Sequence, residues 1–279
     1  MIQRLPRLLA ALLVLAPLAA TAADVAGTVV MLTGRATALG ADGTVRTLAR
    51  NDSVFSGDLV NSGSGSYVNL KFADGAFFLL RPETRFQIEQ YGYVAAATPA
   101  TPVKPPPAPA AATPTSAPLV TAPQQQAGSG SSRAFFRLVK GGFRSVSGLI
   151  GKLNQDDYRV STPVATIGIR GTSYSARLCE GACEDREQIV TKLRGVGKSV
   201  TPDEIVLVTT VDDGSIELQS SQGSTVQNAC RAGGDEAAGK SGSSPCTAVF
   251  TSSDGSITVV PTRPSIENNE RSLNPAFCS

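Results

Sequence analysis

Four Asp-Gly dipeptides, Asp42-Gly43, Asp74-Gly75, Asp213-Gly214 and Asp254-Gly255, limit what this chain can fold into. Asp and Gly tolerate the positive φ that a tight turn between antiparallel strands demands, so Asp-Gly is the strongest short hairpin signal. Each pair is flanked by short runs of strand-forming residues. Residues 25–48 alternate apolar and polar positions around Gly34 and Asp42-Gly43. Residues 66–80 predict a hairpin about Asp74-Gly75, and 85–93 a strand with Phe86, Ile88 and Tyr91 on one side. Residues 205–211 and 215–219 predict a hairpin about Asp213-Gly214, with a further strand at 223–227. Residues 248–250 and 257–260 predict the last hairpin. The acidic turns do not predict a calcium site: turn chemistry accounts for both residue types, and no spaced ligand loop surrounds them.

The stretch at 158–174, YRVSTPVATIGIRGTSY, is the most apolar strand material. Val160, Val164, Ile167 and Ile169 favour a pleated backbone. Pro163 belongs at a strand start, an edge or a turn, and Gly168 and Gly171 permit sharp bends or close backbone approach. The stretch predicts two short strands meeting at a corner. Arg170 is either a structural anchor for buried carbonyls or a binding residue, the first being favoured. Residues 135–152 predict strand, glycine corner at Gly141-Gly142, strand, then one or two helical turns. Residues 185–194 predict a short helix.

Residues 95–132 are different material. Half of the chain's 18 prolines lie there among Ala, Thr, Ser and Gln. Such a composition cannot bury enough apolar area to offset the entropy of ordering. It predicts a disordered, partly polyproline-II insertion acting as a passive tether; the alternative is a ligand for a Pro-binding groove at Pro105-Pro106-Pro107. Residues 1–23 have the form of a secretory signal peptide: Arg4 and Arg7, an eleven-residue apolar core at 8–18, and a small-x-small site at Ala20-Thr21-Ala22. That core is too short to span a bilayer, and no other stretch is long and apolar enough. An exported, periplasmic or secreted protein with no membrane span after cleavage is the expectation.

Without Arg4 and Arg7 the chain carries 23 basic and 23 acidic residues. A neutral chain without a basic run argues against nucleic acid. The absence of His removes Ser-His-Asp and Cys-His catalysis and imidazole metal ligation. G-x-S-x-G and S-x-x-K are also missing, so no catalytic residue is assigned. Residues 234–241, GDEAAGKS, spell the phosphate-loop pattern. The preceding residues are not an apolar strand, Gly242 and Pro245 prevent a following helix, and two acids would repel phosphate. No nucleotide and no cofactor is therefore expected. Of the five cysteines, four can pair two by two in three ways. In an oxidising compartment proximity selects Cys179–Cys183 and Cys230–Cys246, with Cys278 free or pairing between chains. They are weak metal candidates, and no metal is expected.

The segment TPVATIGIRGTSY, 162–174, resembles the TP-x-A-x-x-x-x-RGT-x-Y/F signature of the FecR family, periplasmic domains named after a regulator of iron–citrate uptake. The match places Thr162, Pro163, Ala165, Arg170, Gly171 and Thr172 on the signature. GDLVNSG at 57–63 resembles the family's GD-x-(V/L)-x-TG segment, NLKFADG at 69–75 its L-x-F-x-DG turn, and residues 133–152 the form found in secreted proteobacterial proteins. The resemblance covers about 27–227, on both sides of the Pro-rich insertion.

Turn spacing and the scarcity of helical stretches predict an all-β domain, a short-stranded β-solenoid or roll, with a two-sheet β-sandwich as the alternative. The expected organisation is a signal peptide at 1–23, domain halves at 24–94 and 133–260 around the insertion at 95–132, and a tail at 261–279. The resemblance implies a non-enzymatic envelope module that senses or binds a protein or a cell-wall ligand. The family's regulators control a cytoplasmic sigma factor across a membrane helix, and this chain departs from that plan. The alternative is a structural or wall-associated scaffold; a hydrolase has no specific support.

Overall fold

The structure is a computed structural model, and it describes residues 24–95, 132–181, 183, 185–229 and 247–261. The predicted signal peptide, nearly all of the Pro-rich insertion, Cys230, Cys246, Cys278 and the tail lie outside the described residues.

The described chain is all-β. In the first half run β1 (Val25–Thr33), β2 (Ala36–Leu39), β3 (Val45–Thr47), β4 (Ser53–Phe55), β5 (Leu59–Ser62), β6 (Tyr67–Phe72), β7 (Phe77–Leu80) and β8 (Arg85–Gly92). The second half begins with β9 (Arg133–Val146), the helix α1 (Leu149–Leu153), β10 (Tyr158–Ser161), β11 (Thr166–Ile169) and β12 (Ser173–Cys179). Then come the helix α2 (Arg186–Gly195), β13 (Val206–Asp213), β14 (Ser215–Ser220), β15 (Gly223–Asn228), β16 (Thr247–Ser252) and β17 (Ile257–Pro261).

The strands form two layers. The first runs β4-β1-β6-β7-β9-β12-β13-β16-β17. The second runs β3-β2-β5-β8-β9-β10-β11-β14-β15. The chain rolls from one layer to the other in steps of one or two strands, and every pairing but β9–β10 is antiparallel. Strand β9 belongs to both layers. It bends at Gly141, whose φ is +82° and whose missing Cβ would lie 2.5 Å from Thr84 Oγ1. Thr84 holds the bend by donating to Gly142 O at 2.9 Å and accepting from Gly142 N at 3.0 Å. Strands β7 and β8 of the first half both pair with β9 of the second.

The core lies between the layers. Phe72 and Phe78 of the first layer meet Phe136 of the second with ring centroids 5.0 and 4.9 Å apart. Phe78 lies 5.0 Å from Phe86. The Asp-Gly signal holds at three of its four positions: Gly43, Gly75 and Gly255 turn the β2–β3, β6–β7 and β16–β17 hairpins at φ of +82°, +86° and +86°. Asp213-Gly214 departs from it. Strand β13 pairs with β12 and β16, whereas β14 pairs with β11 and β15. The dipeptide is thus a corner between layers, not a hairpin. Two crossings meet there, and a Cβ on Gly214 would lie 2.1 Å from Gly171 O.

Asp74 shows what a turn acid does here. It is 3% exposed. Its carboxylate accepts from Tyr91 Oη at 2.9 Å and from the backbone N–H groups of Ala76 and Ile150 at 3.2 Å each. It therefore ties the hairpin to β8 and α1.

The ends of the insertion meet, with Val94 N donating to Ser132 Oγ at 3.0 Å. Loop-closure entropy grows only logarithmically with length. Removing residues 97–130 is therefore expected to change stability by less than about 1 kcal/mol, read from urea melts beside the full chain.

Candidate functional site

The signature residues assemble mostly into a corner. Thr162 Oγ1 accepts from the N–H groups of Val164 and Ala165, at 3.3 and 3.0 Å, and donates to Ala165 O at 2.8 Å. This closes the β10–β11 hairpin, with Pro163 exposed at its tip and Ala165 buried. Gly171, at φ +64°, turns the chain out of the second layer. Thr172, 3% exposed, enters the first: its N–H donates to Ser147 Oγ at 2.8 Å and its hydroxyl to Asp213 O at 2.5 Å. Gly168, which the sequence also allowed as a bend or a close approach, lies inside β11 without positive φ. Nor does Arg170 anchor buried carbonyls. Its side chain is 52% exposed on the outer face of the second layer, with Nη2 3.6 Å from Glu217 Oε2.

A concave surface lies on the other layer, among the described residues. Strand alternation turns Tyr174, Ala176 and Leu178 of β12 inward and leaves Ser175 and Arg177 on the outer face. Helix α2 packs on that outer face. Its Ile189 and Leu193 join Cys179, Val206, Ala248, Phe250 and Val260 in a second, smaller apolar cluster. A cavity of 280 Å³ opens between α2 and the strands, lined by Arg144, Arg177, Gln188, Lys192 and Asp212. A second cavity, of 410 Å³, shares Arg81, Arg177 and Asp185 with it and extends to Tyr67, Lys140 and Glu180. The two adjoin at these shared residues, and the cleft comprises both.

Its charges come in pairs. Arg144 is 4% exposed and sits 2.8 Å from Asp212 Oδ2, and Arg177 pairs with Asp185. The cleft wall is tied down where β12 leads into α2. Cys179 and Cys183 form a disulfide with Cα atoms 5.4 Å apart, as the spacing predicted. The Arg186 guanidinium reaches Glu204 O at 2.7 Å and Pro202 O at 3.0 Å, as well as Thr201 O. Sequence reasoning missed this cleft. Arg81, just after β7, and Arg144, Arg177 and Asp212, on β9, β12 and β13, are scattered along the chain, and only strand order brings them together. Among the described residues no group of three or more His, Cys, Asp or Glu could hold a metal ion. No described helix is long and apolar enough to cross a membrane.

Beneath the corner, the hydroxyls of Tyr158 and Tyr174 meet at 3.1 Å inside the core. Burial pushes both phenols above the ordinary value of 10.0, and Tyr91 is raised for the same main reason. The unfolded chain therefore releases phenolic protons at a pH where the folded chain still holds them. The stability tied to these protons is fully present below about pH 10 and is lost as pH rises further. Urea melts from about pH 8 to 12 are expected to show stability falling above 10, with a shallower fall in Tyr158→Phe/Tyr174→Phe. An unchanged slope in the double variant would contradict this assignment.

No protein-family model matches the sequence, and no curated protein does. Two crystal structures of a "putative anti-sigma factor" from Parabacteroides distasonis are similar to it, each with a TM-score of 0.37. They share 11% and 10% identity with this chain and cover 73% of it. The chain spans 59% of the length of that protein.

Proposed function

We propose that this chain is a non-enzymatic module of the cell envelope, exported through residues 1–23, that binds a protein partner in the cleft between α2 and the first layer. The observation that carries this reading is the Arg144–Asp212 pair. Arg144 is 4% exposed at the floor of a cleft and 2.8 Å from its partner. With the Asp212 side chain 32% exposed, the pair adds little to stability after desolvation of Arg144. A charged pair held in a concave surface suits recognition, because complementary charges across an interface select the partner. The mixed rim of Lys140, Glu180, Asp185 and Lys192 suits a partner segment carrying both signs of charge. The FecR-like signature supports the same class of function, since that family's domains sense and bind outside the membrane.

The test is site-specific photo-crosslinking in cells, with the probe at Gln188 in the cleft or at Val45 on the far edge strand. The expected result is a discrete adduct with one envelope protein from position 188, absent from position 45 and lost in Lys192→Glu. Equal labelling from both positions overturns the reading. Adducts confined to the insoluble wall fraction replace it with the scaffold alternative.

A further inference from the structure

The outer face of the second layer carries a trough that neither the fold nor the proposed cleft explains. Its floor is Gly168, in the middle of β11. A glycine inside a strand usually marks positive φ or a neighbour too close for a side chain. Neither applies here. Gly168 has no positive φ, and an added Cβ would meet nothing nearer than Glu217 O at 4.0 Å. The contrast is with Gly27, whose Cβ would lie 2.5 Å from Lys71 O. At Gly168 the missing side chain leaves open space.

The register sets polar groups around that space. Glu217 of β14 lies directly across from Gly168 on one side, and the β10–β11 pairing brings Arg159 alongside on the other. Thr166 of β11 and Arg170, the first residue after that strand, flank Gly168 along the chain. In the next row Ser161 faces Thr166 and Thr166 faces Gln219. The trough measures 490 Å³, within the roughly 300–1,000 Å³ of small-molecule sites. Arg159 is held in place with its guanidinium 4.0 Å above the Phe135 ring. Glu217 takes Arg170 Nη2 at 3.6 Å on Oε2 and accepts from Gln219 Nε2 at 3.3 Å on Oε1, and each carboxylate oxygen keeps a further acceptor position.

We propose that this trough binds a saccharide. The guanidinium groups of Arg159 and Arg170 donate to ring and hydroxyl oxygens, and Glu217 accepts from adjacent hydroxyls. Ser161, Thr166 and Gln219 extend the same donor–acceptor set to a neighbouring unit. Arg159 and Arg170 are balanced by Asp156 and Glu217 on the rim, so the site selects hydroxyl-rich neutral ligands over polyanions. A peptide is disfavoured because β11 is hydrogen-bonded on both sides, to β10 and β14, and offers no edge for strand addition.

The test is calorimetric titration of the full chain with chitopentaose, maltoheptaose and dextran, three neutral glycans of different hydroxyl geometry, and with poly-glutamate as the acidic-peptide probe. At least one glycan is expected to bind at least about tenfold more tightly than poly-glutamate. Gly168→Val fills the trough with a strand-favouring residue. It is expected to abolish glycan binding while melting no lower than the parent. Glu217→Gln, nearly identical in shape and at a half-buried position, is expected to weaken binding about tenfold if the first variant fails to fold. No binding by any of the three glycans, parental affinity in folded Gly168→Val or in Glu217→Gln, or equal binding of poly-glutamate overturns the proposal.

Discussion

Ile167→Asp is expected to unfold residues 24–95 and 132–261 in a single transition. Ile167 is fully buried in β11, between Val160 of β10 and Leu218 of β14. A carboxylate there has no cation to meet, and an uncompensated buried charge costs several kcal/mol. A destabilisation of about 4 kcal/mol or more would consume much of the 5–15 kcal/mol that a domain usually holds. The loss should reach the first half because the strands share one sheet system. Strand β10 pairs with β9, and β9 pairs with β7 and β8. Residues 25–92 alone would be left with the edges of β7 and β8 open to solvent. The measurement is limited proteolysis with thermal melts of the variant, the parent and the chain lacking 97–130. If residues 24–95 keep a native melting transition while 132–261 are digested, the two halves are separate domains.

Phe136→Ala carries the next largest expected effect, a loss of about 4 kcal/mol. Phe136 is fully buried where rings from both layers converge. Its centroid lies 5.0 Å from Phe72, 4.9 Å from Phe78, 5.4 Å from Phe86 and 5.8 Å from Tyr158. Truncation removes the transfer free energy of the ring and leaves a cavity lined by residues on two sheets. Two sheets joined through a shared strand cannot collapse far to fill it. Several aromatic pairs, worth roughly 0.5–1.5 kcal/mol each, go with it. The adjacent Phe135 is the control. It faces outward under Arg159, so Phe135→Ala should cost under about 1 kcal/mol. Chemical denaturation with near-ultraviolet circular dichroism separates the two. Equal losses at positions 135 and 136 would mean that the core does not lie between the layers as described.

What these residues determine locally could be read along the chain. Gly43, Gly75 and Gly255 turn hairpins because positive φ is a property of one residue and its neighbours. The bend of β9 at Gly141 and the two short helices were legible for the same reason, as was Cys179–Cys183, since four residues of chain already bring the sulfurs close. Strand alternation likewise put Phe86 and Ile88 on one face, and both are buried.

Tertiary structure decided which layer each strand joins, and with it everything that depends on non-local pairing. The same Asp-Gly that makes hairpins elsewhere became a corner at 213–214, where β13 stays in the first layer and β14 crosses to pair with β11 and β15. Arg170 faced outward because strand period two puts it on the face opposite Ile167 and Ile169 only once the chain turns at Gly171 and not at Gly168. The cleft residues Arg81, Arg144, Arg177 and Asp212 are neighbours only through the order β7-β9-β12-β13. Turn geometry and alternation are local and leave a signal in a few adjacent residues. Strand order is selected by the burial of distant side chains against one another, and no short stretch of sequence carries that information.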